Sequence, residues 1–543
     1  MKPNIIFILF DDLGYGDVSA LNEKSAFTTP AFDRIAGEGI SFTDAHATSA
    51  VCTPSRYSII TGRYNWRSRL KSYVLGGFSE PLIEARTKTV AQMLKECGYR
   101  THLVGKWHLG MGLPTGEGFV EADEFADSHP IDYTAPITRG PVSLGFDTFF
   151  GIAGSLDMPP YAYIENDRFT AVPTTITKGM GMGFWREGVT APDFVHEEVL
   201  DTLTDRAVAI IEEEREEPFF LLLSLTGPHT PILPKAEFQG ASGTNAYGDF
   251  VLHCDSAVNR VLAALNAQGI EEETLVIMTS DNGCSPAADF PALKRAGHNP
   301  SYIFRGMKSD IYEGGHRIPL LMRWPSFIAP KSSCDQLVSL VDLYATLASL
   351  LRFPLASDEA PDSVSMLPLM RDPNAPPVRS SLVHQSIDGS LSLRRGKWKL
   401  EMCPGSGGWS FPRPKSAEEE GLPPLQLYDL AADIGETSQC GAPPQRDRGL
   451  DARRSWPRSS GGGAVPRARP WPMMGLPSGR ASPGLTIDIL FAAAFGMVYC
   501  ASHEEARTDH CQVPADDYLF HRAPALARHP PLRPAVGHQD GAG

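Results

Sequence analysis

The run Asn4-Ile5-Ile6-Phe7-Ile8-Leu9-Phe10-Asp11-Asp12 decides how this chain folds. Its apolar residues follow one another without alternation, which is typical of a strand that is buried on both faces, as in a parallel sheet. The run ends in two aspartates, Asp11 and Asp12. The sequence therefore predicts a central parallel strand that carries two carboxylates at its carboxyl end.

Three later segments share this order of an apolar run followed by polar groups. They are residues 101–104 before Gly105-Lys106-Trp107-His108, residues 218–225 before Gly227-Pro228-His229, and residues 274–279 before Asp281-Asn282-Gly283. Because ligands of α/β sheets bind beyond the carboxyl ends of the strands, these polar groups are expected to form one site.

Helical patterns lie between the predicted strands. They cover residues 30–38 with Thr29 as N-cap, residues 89–97 before Gly98, and residues 249–268. Strands that alternate with helices predict an α/β protein with a large central, mixed but mostly parallel sheet flanked by helices.

Changes in composition and hydrophobic pattern divide the chain into three parts. Residues 1–372 are predicted to form the catalytic α/β domain. Residues 373–439, with strands at 381–385, 391–402 and 425–430, are predicted to form a smaller C-terminal antiparallel-sheet subdomain. Residues 440–543 are rich in Pro, Arg and Gly, and we expect them to be disordered or translated out of frame.

The bulk composition excludes some classes of partner. The 543 residues carry a formal net charge of −15, which disfavours nucleic acid and anionic membranes as partners. An anionic substrate therefore requires a local basic pocket. None of the nine cysteines has the spacing of a zinc site, and we expect most of them to be ordinary thiols.

The start of the chain shows no signal peptide, because its apolar run is short and ends in aspartates. The sequence as written predicts a cytoplasmic protein, or a periplasmic or secreted one if a leader precedes the recorded start. The late apolar run at 489–498 is too short to span a bilayer.

The segment Cys52-Thr53-Pro54-Ser55-Arg56 combines a cysteine and an arginine at a predicted helix start. Pro54 suits the first turn of a helix that Gly62 ends, so Cys52 is expected at a helix N-terminus, where an anion is stabilised. Arg56 follows four residues later, on the same side of that helix.

This segment, continued through Arg63, resembles the signature of the type I sulfatases, a formylglycine-dependent, arylsulfatase-like family within the alkaline phosphatase superfamily. The resemblance extends over residues 1–439 and includes Gly105-Lys106-Trp107-His108-Leu109-Gly110 and Leu427-Tyr428-Asp429-Leu430. It implies that a formylglycine-generating or equivalent maturation enzyme oxidises Cys52 to formylglycine. One hydroxyl of the hydrated aldehyde would attack sulfur, and the other would expel sulfate.

The resemblance also implies the site residues. The implied catalytic residues are Cys52, Arg56, Lys106, His108, His229 and Lys308, the implied substrate contacts are Ser155 and His298, and the implied metal ligands are Asp11, Asp12, Cys52, Asp281 and Asn282. Oxygen ligands suit Ca²⁺ or Mg²⁺ rather than zinc, and the family pattern favours Ca²⁺. Lys106 and His108 would point the same way if the backbone between them is extended. His316 and Arg317 are predicted to be structural.

The expected substrate is a sulfated carbohydrate in preference to a small aryl sulfate. Aromatic residues suited to sugar stacking occur in the loops 110–144 and 158–192, and they include Tyr161, Tyr163, Phe169 and Trp185. Two alternatives remain open. One is a phosphonate or phosphodiester hydrolase of the same superfamily, and the other is an inactive binder of sulfated glycans.

Overall fold

The computed structural model describes residues 2–115, 131–213 and 216–440. The predicted tail from residue 441 onward and residues 116–130 of the loop 110–144 lie outside the described residues. The helices are α1 Pro30–Gly37, α2 Cys52–Thr61, α3 Val90–Glu96, α4 Val199–Glu212, α5 Ala246–Ala267, α6 Phe290–Arg295, α7 Glu313–His316, α8 Leu343–Leu350 and α9 Leu367–Arg371.

The strands of the described residues belong to one large sheet and several small ones. They are β1 Asn4–Asp11, β2 Ile40–Phe42, β3 Ala45–His46, β4 Arg100–Lys106, β5 Thr148–Ile152, β6 Ile164–Glu165, β7 Arg168–Phe169, β8 Thr175–Thr177, β9 Gly188–Thr190, β10 Phe219–Pro228, β11 Thr274–Ser280, β12 Leu320–Arg323, β13 Ser332–Cys334, β14 Val338–Ser339, β15 Ser381–Gln385, β16 Leu391–Arg395, β17 Trp398–Glu401 and β18 Gln426–Asp429.

The large sheet has the order β13-β2-β12-β11-β1-β10-β4-β5-β6-β7. Its centre, from β11 to β5, is parallel throughout, whereas β12, β6 and β7 pair with antiparallel neighbours. The side chains of β10 and β11 are buried along their whole length, as their unbroken apolar runs predict. The predicted mixed, mostly parallel sheet is thus confirmed, and β5 is a central strand that the sequence did not predict.

The helices predicted from the sequence form close to their expected bounds. α1 begins at Pro30 after Thr29. α3 follows Thr89, whose hydroxyl accepts from the backbone N–H of Gln92 while the Gln92 side chain accepts from the Thr89 N–H. α4 and α5 pack together against β10 and cover one face of the sheet. α3, α4 and α5 each precede a strand of the parallel centre, namely β4, β10 and β11, whereas α1 precedes β2.

The second sheet lies near the C-terminal end of the described chain and is antiparallel, in the order β15-β16-β17-β18. The predicted strand 391–402 is two strands, because Gly396 and Lys397 form a turn within it. This sheet contacts the segment that leads to α2: the Ala50 N–H donates to the Gln385 carbonyl (2.8 Å), and the Gln385 N–H donates to the Thr48 carbonyl (3.0 Å).

Within the described residues, no helix has the length and apolar character needed to cross a membrane. The cysteines described there are all free thiols, as expected for most of them, and are Cys52, Cys97, Cys254, Cys284, Cys334, Cys403 and Cys440.

Candidate active site

The central parallel strands bring their polar ends to one edge of the sheet. In the register of the sheet, Phe10 of β1 lies beside Ser280 of β11, and Asp11 lies beside Pro228 of β10. β4 ends at Lys106, beside Ile152 of β5. Because these strands are parallel, the groups that follow them converge, which is the arrangement that the sequence predicts.

α2 places Cys52 at this edge as the first residue of the helix. The helix ends at Gly62, whose φ of 62° is left-handed and whose added Cβ would lie 2.4 Å from the Cβ of Ala360. Burial raises the pKa of the Cys52 thiol, although the charges of Lys106 and Lys308 act in the opposite direction. An unmodified thiol is therefore protonated and a poor nucleophile here.

Arg56 is buried and held from several sides. Its Nε donates to Asp281 Oδ2 (2.8 Å), and its Nη1 donates to the hydroxyl of Ser224 (2.6 Å). The same Nη1 also donates to the Lys106 carbonyl (3.4 Å). These contacts fix the guanidinium below the helix N-terminus that carries Cys52.

Two buried lysines pair with the carboxylates that follow β1. Lys106 Nζ lies 2.6 Å from Asp11 Oδ2, and Lys308 Nζ lies 2.6 Å from Asp12 Oδ1. Burial alone would raise the pKa of Asp11, but the charges of His229, Lys106 and Arg56 outweigh it and hold this pKa well below the usual range. The site thus combines an ionised Asp11 with fixed cations, whereas burial raises the pKa of Asp281 to about 6.

The predicted metal ligands lie together. One ligand atom each from Asp11, Cys52 and Asp281 falls within 4.8 Å of the others, and the same holds for Asp11, Asp12 and His229. Asn282 Nδ2 donates to Asp12 Oδ1 (2.7 Å), whereas Asn282 Oδ1 and Asp11 Oδ1 are buried without a hydrogen-bond partner. Buried oxygens that accept no hydrogen bond are suited to a hard cation, so this set of ligand atoms fits Ca²⁺.

His108 is buried immediately after β4 with a left-handed backbone (φ 57°). The backbone at His108 is therefore not extended, and the condition under which Lys106 and His108 would point the same way is not met. The Nε2–H of His108 donates to the Leu75 carbonyl (2.7 Å), and Nδ1 has no hydrogen-bond partner. Burial and the charge of Lys106 hold the pKa of His108 well below its usual value, so Nδ1 is a free acceptor.

His229 follows β10 and presents its other ring nitrogen to the site. Its Nδ1 lies 2.5 Å from the Thr230 carbonyl, which assigns the Nδ1–H as a donor. Its Nε2 lies 3.6 Å from Asp12 Oδ2. Nε2 is therefore the ring nitrogen that His229 presents to Asp12.

The two predicted substrate contacts differ in their surroundings. Ser155 Oγ accepts from Lys106 Nζ (3.1 Å), which places it in the site. His298 is buried with both ring nitrogens engaged: Nε2 contacts Asp17 Oδ1 (2.8 Å), and Nδ1 accepts from the Ala26 N–H (3.4 Å). A substrate contact by His298 stays a prediction, and the structure gives this imidazole a packing role.

Asp157 is a residue of the site that the sequence reasoning missed. Its Oδ2 pairs with Arg186, and its Oδ1 is buried without a hydrogen-bond partner. Burial would raise the pKa of Asp157, but the charges of His229 and Arg186 lower it, so the carboxylate faces the site in its ionised form. Its position two residues after Ser155 could have indicated it, whereas no sequence signal marks Arg186.

A second buried polar cluster lies behind α7, where the small sheet meets the large one. His316 and His384 stack at 3.8 Å with 9° between their rings, and His46 Nδ1 lies 3.0 Å from His316 Nδ1. Two rings that lie face to face cannot direct their lone pairs to one point, so this cluster is a packing element. Arg317 pairs with Glu313 (2.9 Å), in agreement with its predicted structural role.

The aromatic residues predicted to stack on sugar are part of the core. Tyr161, Tyr163 and Phe169 are buried, and Trp185 stacks on His196 at 4.0 Å. The prediction is therefore wrong for the three buried rings. Their loop folds back onto β5 and α4, which the sequence alone does not indicate.

Comparisons with known proteins agree with this geometry. The family model described as Sulfatase matches residues 3–353. An N-acetylgalactosamine-6-O-sulfatase of Bacteroides thetaiotaomicron is 34% identical, over 80% of this chain and 89% of the relative. Arylsulfatase A of Homo sapiens is 32% identical, over 80% of this chain and 82% of the relative.

A solved structure supports the same relationship. It comes from work on the metabolism of multiple glycosaminoglycans by Bacteroides thetaiotaomicron and superposes with a TM-score of 0.71. The two chains are 33% identical, and the match covers 81% of this chain and 95% of that chain.

Proposed function

We propose, since the chain belongs to the sulfatase family, that this sulfuric ester hydrolase acts on a sulfated carbohydrate by means of a formylglycine made from Cys52 and a bound Ca²⁺. The observation that carries the proposal is the convergence of Arg56, Lys106 and Lys308 on the helix N-terminus at Cys52. In an acidic protein, fixed cations gathered at one helix N-terminus favour the binding of a compact anion there.

The proposed conversion of Cys52 is supported by its surroundings. A buried thiol with a raised pKa gives little thiolate, so cysteine itself is unsuited to attack sulfur. The hydrated aldehyde supplies one hydroxyl for attack and a second whose deprotonation releases sulfate. This conversion requires a maturation enzyme that acts on the segment from Cys52 to Arg56.

The proposed cation would be held by Asp11, Asp12, Asp281 and Asn282. When bound, the cation would lower the pKa of a neighbouring hydroxyl and polarise a sulfate oxygen. Lys106 and Lys308, which pair with Asp11 and Asp12, would bind the sulfate oxygens beside this cation. The unpartnered oxygens of Asp11 and Asn282 support this assignment.

Two histidines are placed for the proton transfers. His108 Nδ1 is neutral and unpartnered, and we assign it the acceptance of a proton from the hydroxyl group at position 52. His229 Nε2 lies 3.6 Å from Asp12 Oδ2, and we assign it the donation of a proton to the leaving alcohol. Lys308 stabilises negative charge on the leaving side.

The carbohydrate preference is supported by the relatives. One relative is named for N-acetylgalactosamine 6-sulfate, so a 6-sulfated amino sugar is the first candidate substrate. The pair Asp157–Arg186 offers a carboxylate and a guanidinium beside His229, which suits the hydroxyl groups of a sugar.

The test compares wild type and Cys52→Ala on 4-nitrophenyl sulfate, 4-nitrophenyl phosphate and a panel of sulfated saccharides. Wild type is expected to cleave sulfate esters faster than the phosphate, and Cys52→Ala is expected to lose activity while keeping the fold. Mass spectrometry of the peptide that contains Cys52 should show the aldehyde.

Three results would contradict the proposal. Faster cleavage of the phosphate would favour the phosphonate or phosphodiester hydrolase, and binding of sulfated glycans without turnover would favour the inactive binder. Retained activity in Cys52→Ala would exclude position 52 as the nucleophile.

A further inference from the structure

Four aromatic side chains stand out among the described residues because more than a third of each is exposed. They are Tyr73 (62%), Phe184 (44%), Trp409 (38%) and Phe411 (60%). Single exposed rings are common on protein surfaces, so a second observation must connect such a ring to a binding site. Tyr73, Trp409 and Phe411 belong to turns that are joined to one buried residue, Ser309. We call these three residues the aromatic rim.

Ser309 ties the first member of the rim to the loop before the nucleophile. The Ser309 N–H donates to the carbonyl of Ala50 (2.7 Å), two residues before position 52. The Ser309 carbonyl accepts from the Ile387 N–H (3.0 Å), and the Ile387 carbonyl accepts from the Tyr73 N–H (2.7 Å). Tyr73 is thus linked by short backbone bonds to the segment that carries Lys308.

Trp409 is held by the same segment. The backbone N–H of Trp409 donates to the hydroxyl of Ser309 (3.0 Å) and to Asp310 Oδ1 (2.8 Å). The backbone N–H of Ser410 donates to the same carboxylate oxygen (2.9 Å). The preceding Gly408 approaches so closely that an added Cβ would lie 2.5 Å from the Ser309 carbonyl oxygen. The turn of the small sheet is therefore fixed beside the catalytic lysine.

Arg413 places a cation beside Phe411 in the rim. The guanidinium of Arg413 lies 4.7 Å from the centre of the Phe411 ring, and Arg413 Nε donates to the Trp409 carbonyl (2.7 Å). Aromatic faces pack against the C–H faces of sugars, and a neighbouring guanidinium favours an anionic glycan. The rim therefore has the chemistry that an acidic oligosaccharide requires.

We infer that the aromatic rim is a subsite that binds a further sugar ring of an extended sulfated oligosaccharide, beyond the sugar that carries the scissile sulfate. The inference rests on the proposed sulfatase function and specifies its substrate as an oligosaccharide. Its continuity with the site, through Ser309 to Ala50 and Lys308, is what assigns the exposed rings to substrate.

The test measures KM and kcat for 4-nitrophenyl sulfate, for the best oligosaccharide of a sulfated glycosaminoglycan panel, and for the matching sulfated monosaccharide. Tyr73→Ala and Trp409→Ala are each expected to raise KM for the oligosaccharide about fivefold, the effect of losing one aromatic contact. Hydrolysis of 4-nitrophenyl sulfate and of the monosaccharide should not change. Trp409→Phe and Tyr73→Phe keep a ring and should retain most of the affinity.

Val142→Ala is a control, because Val142 has the same exposure as Trp409 and lies before the start of β5, at the opposite edge of the sheet. Equal effects on all three substrates, or no oligosaccharide better than its monosaccharide, would overturn the subsite while leaving the sulfatase function intact. Light scattering tests whether the rim instead binds a second copy of this chain. A dimer that Trp409→Ala dissociates, without a change in oligosaccharide kinetics, would assign the rim to self-association and overturn the inference. Absence of all sulfatase activity would instead reject the proposed function.

Discussion

His108 owes its chemistry to three local features that act on one ring. The Leu75 carbonyl fixes the proton on Nε2, the left-handed backbone sets the position of the ring, and burial beside Lys106 disfavours a second proton. The sequence could identify the residue through its family pattern. It could not give the tautomer, because Leu75 comes from a turn 33 residues earlier in the chain.

The pH dependence of kcat follows from this environment. A histidine whose pKa lies well below its usual value of about 6.5 stays neutral as the pH falls through 6.5, so its role as proton acceptor is retained in mild acid. With calcium and substrate saturating, we expect wild-type kcat to stay level from pH 7 to 6 and to decrease only at lower pH.

The matched variant for this pH dependence is His108→Gln, which keeps a polar side chain but cannot accept a proton. Its kcat should be lower by about 10²- to 10⁴-fold. The kcat that remains should no longer show the decrease at low pH that protonation of His108 causes in wild type. A midpoint near pH 6.5 in the wild-type profile would contradict the lowered pKa of His108.

At the residue scale, the polar groups at strand ends could be predicted and the groups from distant turns could not. Asp11 and Asp281 follow apolar runs directly, so their place at the edge of a parallel sheet is a local property of the sequence. Asp157 and Trp409 reach the site region through loops whose course depends on tertiary packing. Exposure distinguishes the rings of the aromatic rim from the buried Tyr161, and exposure is a property of the folded chain.

Among the elements, β17 shows how alternation can mislead. Basic and apolar residues alternate in Lys397-Trp398-Lys399-Leu400, which leads into this strand, and such alternation favours a solvent-exposed basic face. The face that carries Lys399 is instead buried: Lys399 Nζ lies 2.6 Å from Glu436, 3.2 Å from Glu313 and 3.4 Å from Glu401. Because Glu313 belongs to α7, this cluster joins the small sheet to the segment that follows Lys308.

Removal of the buried lysine should weaken the fold strongly. Lys399→Met leaves buried carboxylates without their cation, and loss of one partner from a buried ion pair costs about 3–5 kcal/mol. We expect the free energy of unfolding, measured by urea denaturation, to decrease by an amount of this order.

Lys397 provides the comparison for Lys399, because it lies two residues earlier on the same hairpin with a half-exposed side chain paired to Asp429 (2.6 Å). Lys397→Met should change the stability very little, since exposed ion pairs contribute weakly. Similar losses in the two variants would show that the cluster around Lys399 does not stabilise the fold.

Across the whole molecule, the site depends on pairings that span much of the chain. β1 pairs with β10 and β11, more than two hundred residues later, and these pairings bring Asp11 and Asp12 to Asp281 and Asn282. Apolar runs predict that such strands exist and are parallel, but they do not give the strand order or the insertion of the antiparallel β12. Only the complete sheet determines which strand ends become neighbours.

A cation shared by two strand ends should therefore stabilise the entire fold. Ca²⁺ that binds only the folded state adds about 2.7 kcal/mol at a concentration one hundred times its Kd. We expect CaCl₂ to raise the melting temperature of EDTA-treated protein, and MgCl₂ to raise it less, because a cluster of carboxylate and amide oxygens suits Ca²⁺, whereas Mg²⁺ dehydrates reluctantly.

Asn282→Ala isolates the contribution of one ligand, since it removes the unpartnered amide oxygen without changing the charge of the site. The variant should begin with a lower melting temperature, because Asn282 also donates to Asp12 (2.7 Å). The decisive quantity is the calcium-dependent increase, which should be smaller than in wild type. An equal increase in both proteins would place the stabilising calcium elsewhere, and no increase in wild type would reject the calcium site, whether or not the protein hydrolyses sulfate esters.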